Sequence, residues 1–336
     1  MAFRGTVRRA LETVRLLKRS AEKKTRHAEI DAMPGKFVDG SYSNAAGTRT
    51  YKLYVPKNYA GKPMPLLVML HGCTQDPDDF AAGTRMNSLA DRHGFLVVYP
   101  AQSTAANDGK CWNWFTEKNQ VRDRGEPSII AGITREVAAR YAVDERRIYV
   151  AGMSAGAAMA VIMGATYPDL YAAVGAHSGL PYRAAHSAFS AFAAMQGNGA
   201  SPADSPSPPG RRSIPTIVFH GDHDAMVNAG NGADIVDQAV SLAAAEYGPL
   251  QKTVGERSSA NGRDYTTTVY RAAPANPLVE QWVLHGARHA WSGGSPEGSY
   301  TDETGPDASA EMVRFFLSAS STTERSRPVP RAAPAH

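Results

Sequence analysis

A serine set among small residues, Gly152-Met153-Ser154-Ala155-Gly156, separates two runs that fold in different ways. Ahead of it Arg147-Ile148-Tyr149-Val150-Ala151 is β-branched and aromatic, as a buried strand is. Behind it residues 157–165 are small and apolar, with no turn signal before Tyr167-Pro168. No other stretch restricts the fold as much as this order of strand, sharp turn and helix. A serine in such a turn takes strained backbone angles, so its neighbours must lack bulk; Gly152, Ala155 and Gly156 leave that room. The turn lifts the hydroxyl above the sheet edge, and the helix N-terminus behind it favours negative charge. A G-x-S-x-G pattern is common by chance, but between a strand and a helix it reads as a nucleophile elbow.

The rest of the chain fits a parallel sheet around this strand. Residues 49–56 alternate polar and apolar, as a strand covered on one face does. Residues 66–70 and 95–99 are continuous apolar runs, as central parallel strands are, and residues 216–220 and 281–285 supply two more strands. Helices are predicted over residues 87–93, 129–141 and 308–318. Strands alternating with helices imply α/β architecture, a mostly parallel central sheet with helices on both faces. No internal repeat is present. Residues 197–212, rich in Gly, Ser and Pro, read as a mobile surface loop, and residues 319–336 as a disordered tail. One catalytic domain over residues 35–318 follows, preceded by an arm over residues 1–34.

Charge is concentrated on that arm. Residues 1–30 hold nine Lys or Arg against three Glu, a net of +6 in a chain whose total is +4, so the remainder sums to −2. Val7, Leu11, Val14, Leu17 and Ala21 recur at helical spacing between these charges, which predicts a basic amphipathic helix. Such a helix packs on the body or docks on an anionic or apolar surface. Nucleic acid is not expected as a partner. The arm lacks the uninterrupted apolar block of a secretory signal, so the cytoplasm is the expected compartment and export the alternative. At 43% hydrophobic residues, no run approaches the roughly 18 apolar residues of a membrane span. Cys73 and Cys111 are the only cysteines, and neither a C-x-x-C pattern nor a His/Cys cluster points to a metal. Without a signal segment the two are expected as reduced thiols, a bridge between them being the alternative.

A serine hydroxyl needs a base to take its proton and an acid to hold that base in one tautomer. In elbow folds these follow the serine in the order acid, histidine, on loops after later strands. After residues 216–220 comes Gly221-Asp222-His223-Asp224, and after residues 281–285 comes Gly286-Ala287-Arg288-His289. Asp222 lies so close to the strand end that it suits support of the loop through backbone hydrogen bonds, which leaves Asp224 as the acid. His289 is the candidate base, with His285 and His223 as structural rivals. The charge that develops on the carbonyl oxygen calls for two N–H donors. Ala155, directly after the serine, offers one, and Cys73 in the loop His71-Gly72-Cys73 offers the other.

The segments LHGCTQ (residues 70–75), FAAGTRMNSLADRHGFLVVYP (80–100), CWNWF (111–115), GMSAGAAM (152–159), HSGLPY (177–182), FHGDHD (219–224) and GARHAWSGG (286–294) occur in this order. Together they resemble the polyhydroxybutyrate (PHB) depolymerase family of esterases, related to feruloyl and acetylxylan esterases. The resemblance runs from about residue 35 to 318. It implies an α/β-hydrolase fold and a serine esterase with Ser154, Asp224 and His289 as triad, the Cys73 N–H in the oxyanion hole, and no cofactor. Ala157 departs from the pattern where a third glycine of the elbow is common, and Arg288 where a small residue often precedes the histidine. The implied substrates are PHB or short 3-hydroxyalkanoate esters, with feruloyl or acetylxylan esters as the alternative. A polyester granule is an implied partner, and a non-catalytic granule- or surface-binding protein is the rival from another class. Trp112, Trp114 and Trp291 flank the catalytic loops and are candidates for substrate contact, with core packing as the other reading.

Overall fold

Apolar runs covered on both faces line up side by side in one ten-stranded sheet. The computed structural model describes residues 35–199, 212–272 and 277–323. Its strands are β1 (Lys36–Asn44), β2 (Gly47–Val55), β3 (Met64–Leu70), β4 (Leu96–Pro100), β5 (Val143–Met153), β6 (Ala173–His177), β7 (Thr216–Gly221), β8 (Gln251–Ser258), β9 (Asp264–Arg271) and β10 (Pro277–Leu284). They lie in the order β1-β2-β4-β3-β5-β6-β7-β10-β9-β8. The pairs from β4 to β10 are parallel, and antiparallel hairpins close both edges. The edge strands depart from the expected simple alternation of strand and helix: a short connection between β8 and β9 permits only an antiparallel return. A second, two-stranded sheet pairs β11 (Trp291–Ser292) with β12 (Thr301–Asp302).

Successive residues of the central strands feed two cores. Leu66, Val68 and Leu70 pack with Val98, Val150 and the helices α3 (Gly125–Arg140) and α4 (Ala155–Thr166). Leu67 and Met69 face the other way, toward α1 (Pro77–Thr84), α2 (Met86–His93) and α7 (Ala308–Thr323). This two-sided burial is why β3 reads as an unbroken apolar run. Two further helices, α5 (Ala188–Met195) and α6 (Gly230–Tyr247), follow β6 and β7. β6 reads Ala-Val-Gly-Ala-His because α7 presses on it: a Cβ on Gly175 would lie 2.9 Å from Met312 Sδ and 3.0 Å from Phe316 Cζ. The last helix extends to Thr323, past the expected start of a tail at residue 319. The arm (residues 1–34), most of the Gly/Ser/Pro loop (200–211) and residues 324–336 lie outside the described residues. Among the described residues no helix is long and apolar enough to cross a membrane.

Two loops at the C-terminal ends of β3 and β4 are bound to each other. Glu126, buried at the start of α3, accepts from Asn113 N–H (2.7 Å), Asn113 Nδ2 (2.8 Å), Gln102 Nε2 and Arg49 Nη2 (3.3 Å). Gln102 Nε2 donates to Cys111 O at 2.9 Å, and Thr74 N–H donates to Gly109 O at 2.6 Å. These bonds bring the Cα atoms of Cys73 and Cys111 within 4.2 Å, and the two form a disulfide across 38 residues. The expectation of reduced thiols is therefore corrected: it rested on compartment, whereas the pairing follows from where the loops meet.

The unfolded, unreduced protein is expected to show no titratable thiol, and two thiols would contradict the bridge. A Cys73→Ser/Cys111→Ser double variant should lose about 2–4 kcal/mol of unfolding free energy, read from urea titrations.

Candidate active site

β5 ends at Met153 and α4 begins at Ala155, which leaves Ser154 alone in the turn with φ 56° and ψ −122°. These angles are costly for a residue with a side chain, and the surrounding backbone holds them. Ser154 N–H donates to His177 O at 2.9 Å. A Cβ on Gly156 would lie 2.0 Å from Leu70 O, and one on Gly152 would lie 2.5 Å from the Gly156 carbonyl. Both sites exclude any side chain, because the turn is pressed against the end of β3. At Ala157 the clearance comes from the opposite wall, where a Cβ on Gly179 would meet Ala157 Cβ at 2.7 Å.

The same close approach brings the loop after β3 to the serine. The Cβ position of Gly72 is 3.6 Å from Ser154 Cβ. Among the described residues, neither Cys73 N–H nor Ala155 N–H donates a hydrogen bond. Ala155, as the first helical residue, has no carbonyl four residues back within its own helix. Gln75 fixes the loop: Gly72 N–H donates to its Oε1 at 2.9 Å, while its Nε2 donates to Ser299 O at 3.1 Å and Asp79 Oδ2 at 3.2 Å. His71 lies beneath, accepting from Gln102 N–H on Nε2 at 3.0 Å and donating from Nδ1 to Gly72 O at 2.7 Å.

Asp224 follows β7, with its side chain fully enclosed. Its Oδ1 accepts from Met226 N–H (2.9 Å) and Val227 N–H (2.8 Å), and its Oδ2 receives His289 Nδ1 at 2.7 Å. Burial pushes the Asp224 carboxyl up, but the bonds from His220, His289 and Val227 outweigh it and hold the group well below the usual carboxylate range. With Nδ1 committed to Asp224, His289 keeps Nε2 for a second proton. Asp222 does something else. It accepts from Gly286 N–H at 2.7 Å and meets His285 Nδ1 at 2.9 Å, which ties the acid loop to the base loop. His223 is exposed, and its N–H donates to Ala287 O at 3.1 Å. Ser154, the His71-Gly72-Cys73 loop, Asp224 and His289 thus lie beyond the C-terminal ends of β5, β3, β7 and β10, respectively. Among the described residues no group of three His, Cys, Asp or Glu side chains could hold a metal ion.

The family model described as esterase PHB depolymerase matches residues 49–264. The chain belongs to the esterase PHB depolymerase family. Poly(3-hydroxyalkanoate) depolymerase C of Paucimonas lemoignei is 34% identical over 239 residues, which are 67% of this chain and 54% of that protein. A probable acetylxylan esterase A of Neosartorya fischeri is 30% identical over 243 residues, 68% of this chain and 64% of that one. Feruloyl esterase B of Neurospora crassa is 36% identical over 152 residues, 45% of this chain and 49% of its own. The chain therefore spans between about half and just under two thirds of these relatives. Among solved structures, an acetyl xylan esterase from Aspergillus awamori superposes with a TM-score of 0.64, covering 83% of this chain and 99% of that one. At 19% identity this likeness speaks for the fold alone, which is that of the α/β-hydrolases.

In this member of the PHB depolymerase family Trp112, Trp114 and Trp291 are buried, and each packs in the interior. Trp112 packs at 5.8 Å from His71, and Trp114 meets Phe115 edge to face. Trp291 stacks on His177 at 5.1 Å and donates from Nε1 to Ser309 Oγ at 3.0 Å. His177, not singled out in the sequence, supports two parts of the site. Its carbonyl holds the serine N–H and its Nε2 accepts from Ser292 N–H at 3.0 Å. Arg288, the residue before His289, is exposed.

Burial lowers His71 to about 4 and His177 to about 3, against 6.5 for a free imidazole. Both bind a proton more weakly folded than unfolded, so unfolding takes up protons between pH 6.5 and those values. Stability is therefore expected to be complete above pH 7 and to fall as the pH drops, by up to about 1.4 kcal/mol per pH unit for each histidine. Asp224 acts in the same direction only below its unfolded value of 3.8. Urea titrations at pH 7, 6 and 5 check this, and a level unfolding free energy across them would contradict it.

Proposed function

We propose that the chain is a serine carboxylic-ester hydrolase acting through an acyl-enzyme. The observation that carries this reading is the Ser154 elbow, flanked by two undonated N–H groups and followed by the Asp224–His289 pair. In the reaction Ser154 Oγ attacks the ester carbonyl while His289 Nε2 takes its proton. Cys73 N–H and Ala155 N–H receive the oxyanion, which needs no reorganisation because both donors are already fixed. Collapse of the tetrahedral intermediate expels the alcohol, which takes its proton from His289. Water then attacks the acyl-serine with His289 again as base, and the acid product leaves. Asp224 stays ionised and faces the imidazolium formed in each half-reaction.

PHB or short 3-hydroxyalkanoate esters are the proposed substrates. The Paucimonas relative supports this with 34% identity over 67% of the chain. The Neosartorya relative matches a similar share at 30%, which keeps feruloyl or acetylxylan esters as the second reading. A surface feature favours an apolar polymer. α5 carries no charged side chain and exposes Phe189 (88%) and Phe192 (68%). It adjoins the acid loop through Asn228 N–H, which donates to Met195 O at 2.7 Å.

Purified protein assayed on PHB, 3-hydroxybutyrate oligomers, methyl ferulate and acetylated xylan is expected to favour the first two. Ser154→Ala should abolish turnover, a loss on the order of 10³–10⁶. Phe189→Ser/Phe192→Ser should slow attack on solid PHB and spare a soluble short ester; equal loss on both would contradict the polymer reading, and preference for ferulate or acetylxylan would favour the second.

A further inference from the structure

His220 is a buried histidine that the reaction above does not use. It stands next to last in β7, 4% exposed, with its ring against the start of α6. Contact there is close: a Cβ on Gly232 would lie 2.7 Å from His220 Nδ1 and 3.0 Å from its Cβ. The ring's Nε2 lies 2.9 Å from Val227 O and 3.4 Å from Asp224 Oδ2. A carbonyl and a carboxylate can only accept, so the proton between them belongs to Nε2. Nδ1 is buried without a hydrogen-bond partner. One tautomer, with its N–H aimed at the acid loop, satisfies this environment.

The acid needs such a donor. Oδ1 of Asp224 is held by two backbone N–H groups, but Oδ2 would otherwise be left with the His289 bond alone. The side chain is fully enclosed, and a buried carboxylate oxygen with one donor is poorly satisfied. His220 reaches both ends of the turn, the carboxylate of residue 224 and the carbonyl of residue 227. It thereby fixes the rotation of the carboxylate and the closure of the loop together.

We propose that His220 is a positioning residue for the triad: its Nε2–H, shared between Val227 O and Asp224 Oδ2, aims the carboxylate at His289. The proposal rests on the reading of Asp224 and His289 as catalytic acid and base. When His289 takes the serine proton, the imidazolium meets a carboxylate already aligned, with His220 Nε2 3.4 Å from the same oxygen. A ring of the same shape without the donor would fill the space but leave Oδ2 free to turn.

The test compares His220→Gln, whose amide nitrogen can replace the donor, with His220→Phe, which keeps the ring and removes it. Hydrolysis of a soluble short ester gives kcat and KM. Proton NMR of the Asp224–His289 hydrogen bond, a low-field resonance, gives a readout that needs no turnover. His220→Gln should keep kcat within about 3-fold and retain the resonance, while His220→Phe should lower kcat roughly 10-fold or more at near-constant KM and shift or broaden it. Equal behaviour of the two variants in kcat and in the resonance would overturn the proposal, since packing alone would then account for His220. If His220→Phe does not fold, Gly232→Ala displaces the same ring; a shifted resonance supports the proposal and an unchanged one overturns it. Should the wild type hydrolyse no ester, the catalytic reading fails, and the resonance still decides whether His220 orients the acid.

Discussion

The backbone of the turn around Ser154 touches the backbone at the end of β3, and the rest of the site depends on that approach. Room for it exists only because positions 152 and 156 lack side chains; an added Cβ at 156 would overlap Leu70 O. The contact does two jobs. It holds the serine at a positive φ that a lone turn would not keep, and it places the His71-Gly72-Cys73 loop against the serine's own Cβ. Ser154 and the His71-Gly72-Cys73 loop are therefore positioned by one packing event. A shift of either strand would disturb both.

Buried polar groups then carry the precision outward. Gln75, Gln102, Glu126, Asp79 and His71 are all buried, and each is hydrogen-bonded. Burying so many polar atoms costs free energy unless every one is paired, so the network is rigid where it is complete. It fastens the donor loop to α3 on one side and to the segment around Ser299 on the other. The Cys73–Cys111 bond adds a covalent tie to the same loop, one residue beyond the Gly72 backbone that packs against the serine. The loops that carry Asp224 and His289 are joined by a separate set, Asp222 with Gly286 and His285, and His223 with Ala287.

Some of this was legible in the sequence for a physical reason. Strands β3, β4 and β7, and the second half of β5, are buried on both faces, which leaves a largely apolar signature. Ser154, Asp224 and His289 each lie in the segment that follows a strand, so their order along the chain could be read without coordinates. β6 left no such trace: α7 demands a glycine in its middle, and the strand reads as a string of small residues. β8 is polar because it is an exposed edge. The roles of Gln75, Glu126 and His220 depend on partners brought together by folding, Gln75 with Ser299 across 224 residues. The tryptophans show the converse limit. Aromatic residues beside catalytic motifs suit a substrate wall and a core equally, and here the interior claims all three.

The account stands on Ser154 being the residue that the fold makes nucleophilic. Intact-protein and peptide mass spectrometry after exposure to a fluorophosphonate reads this directly, without choosing a substrate. A single adduct on Ser154, formed far more slowly in His289→Ala, is the predicted result. An adduct on another residue, or a labelling rate unchanged in His289→Ala, would contradict it.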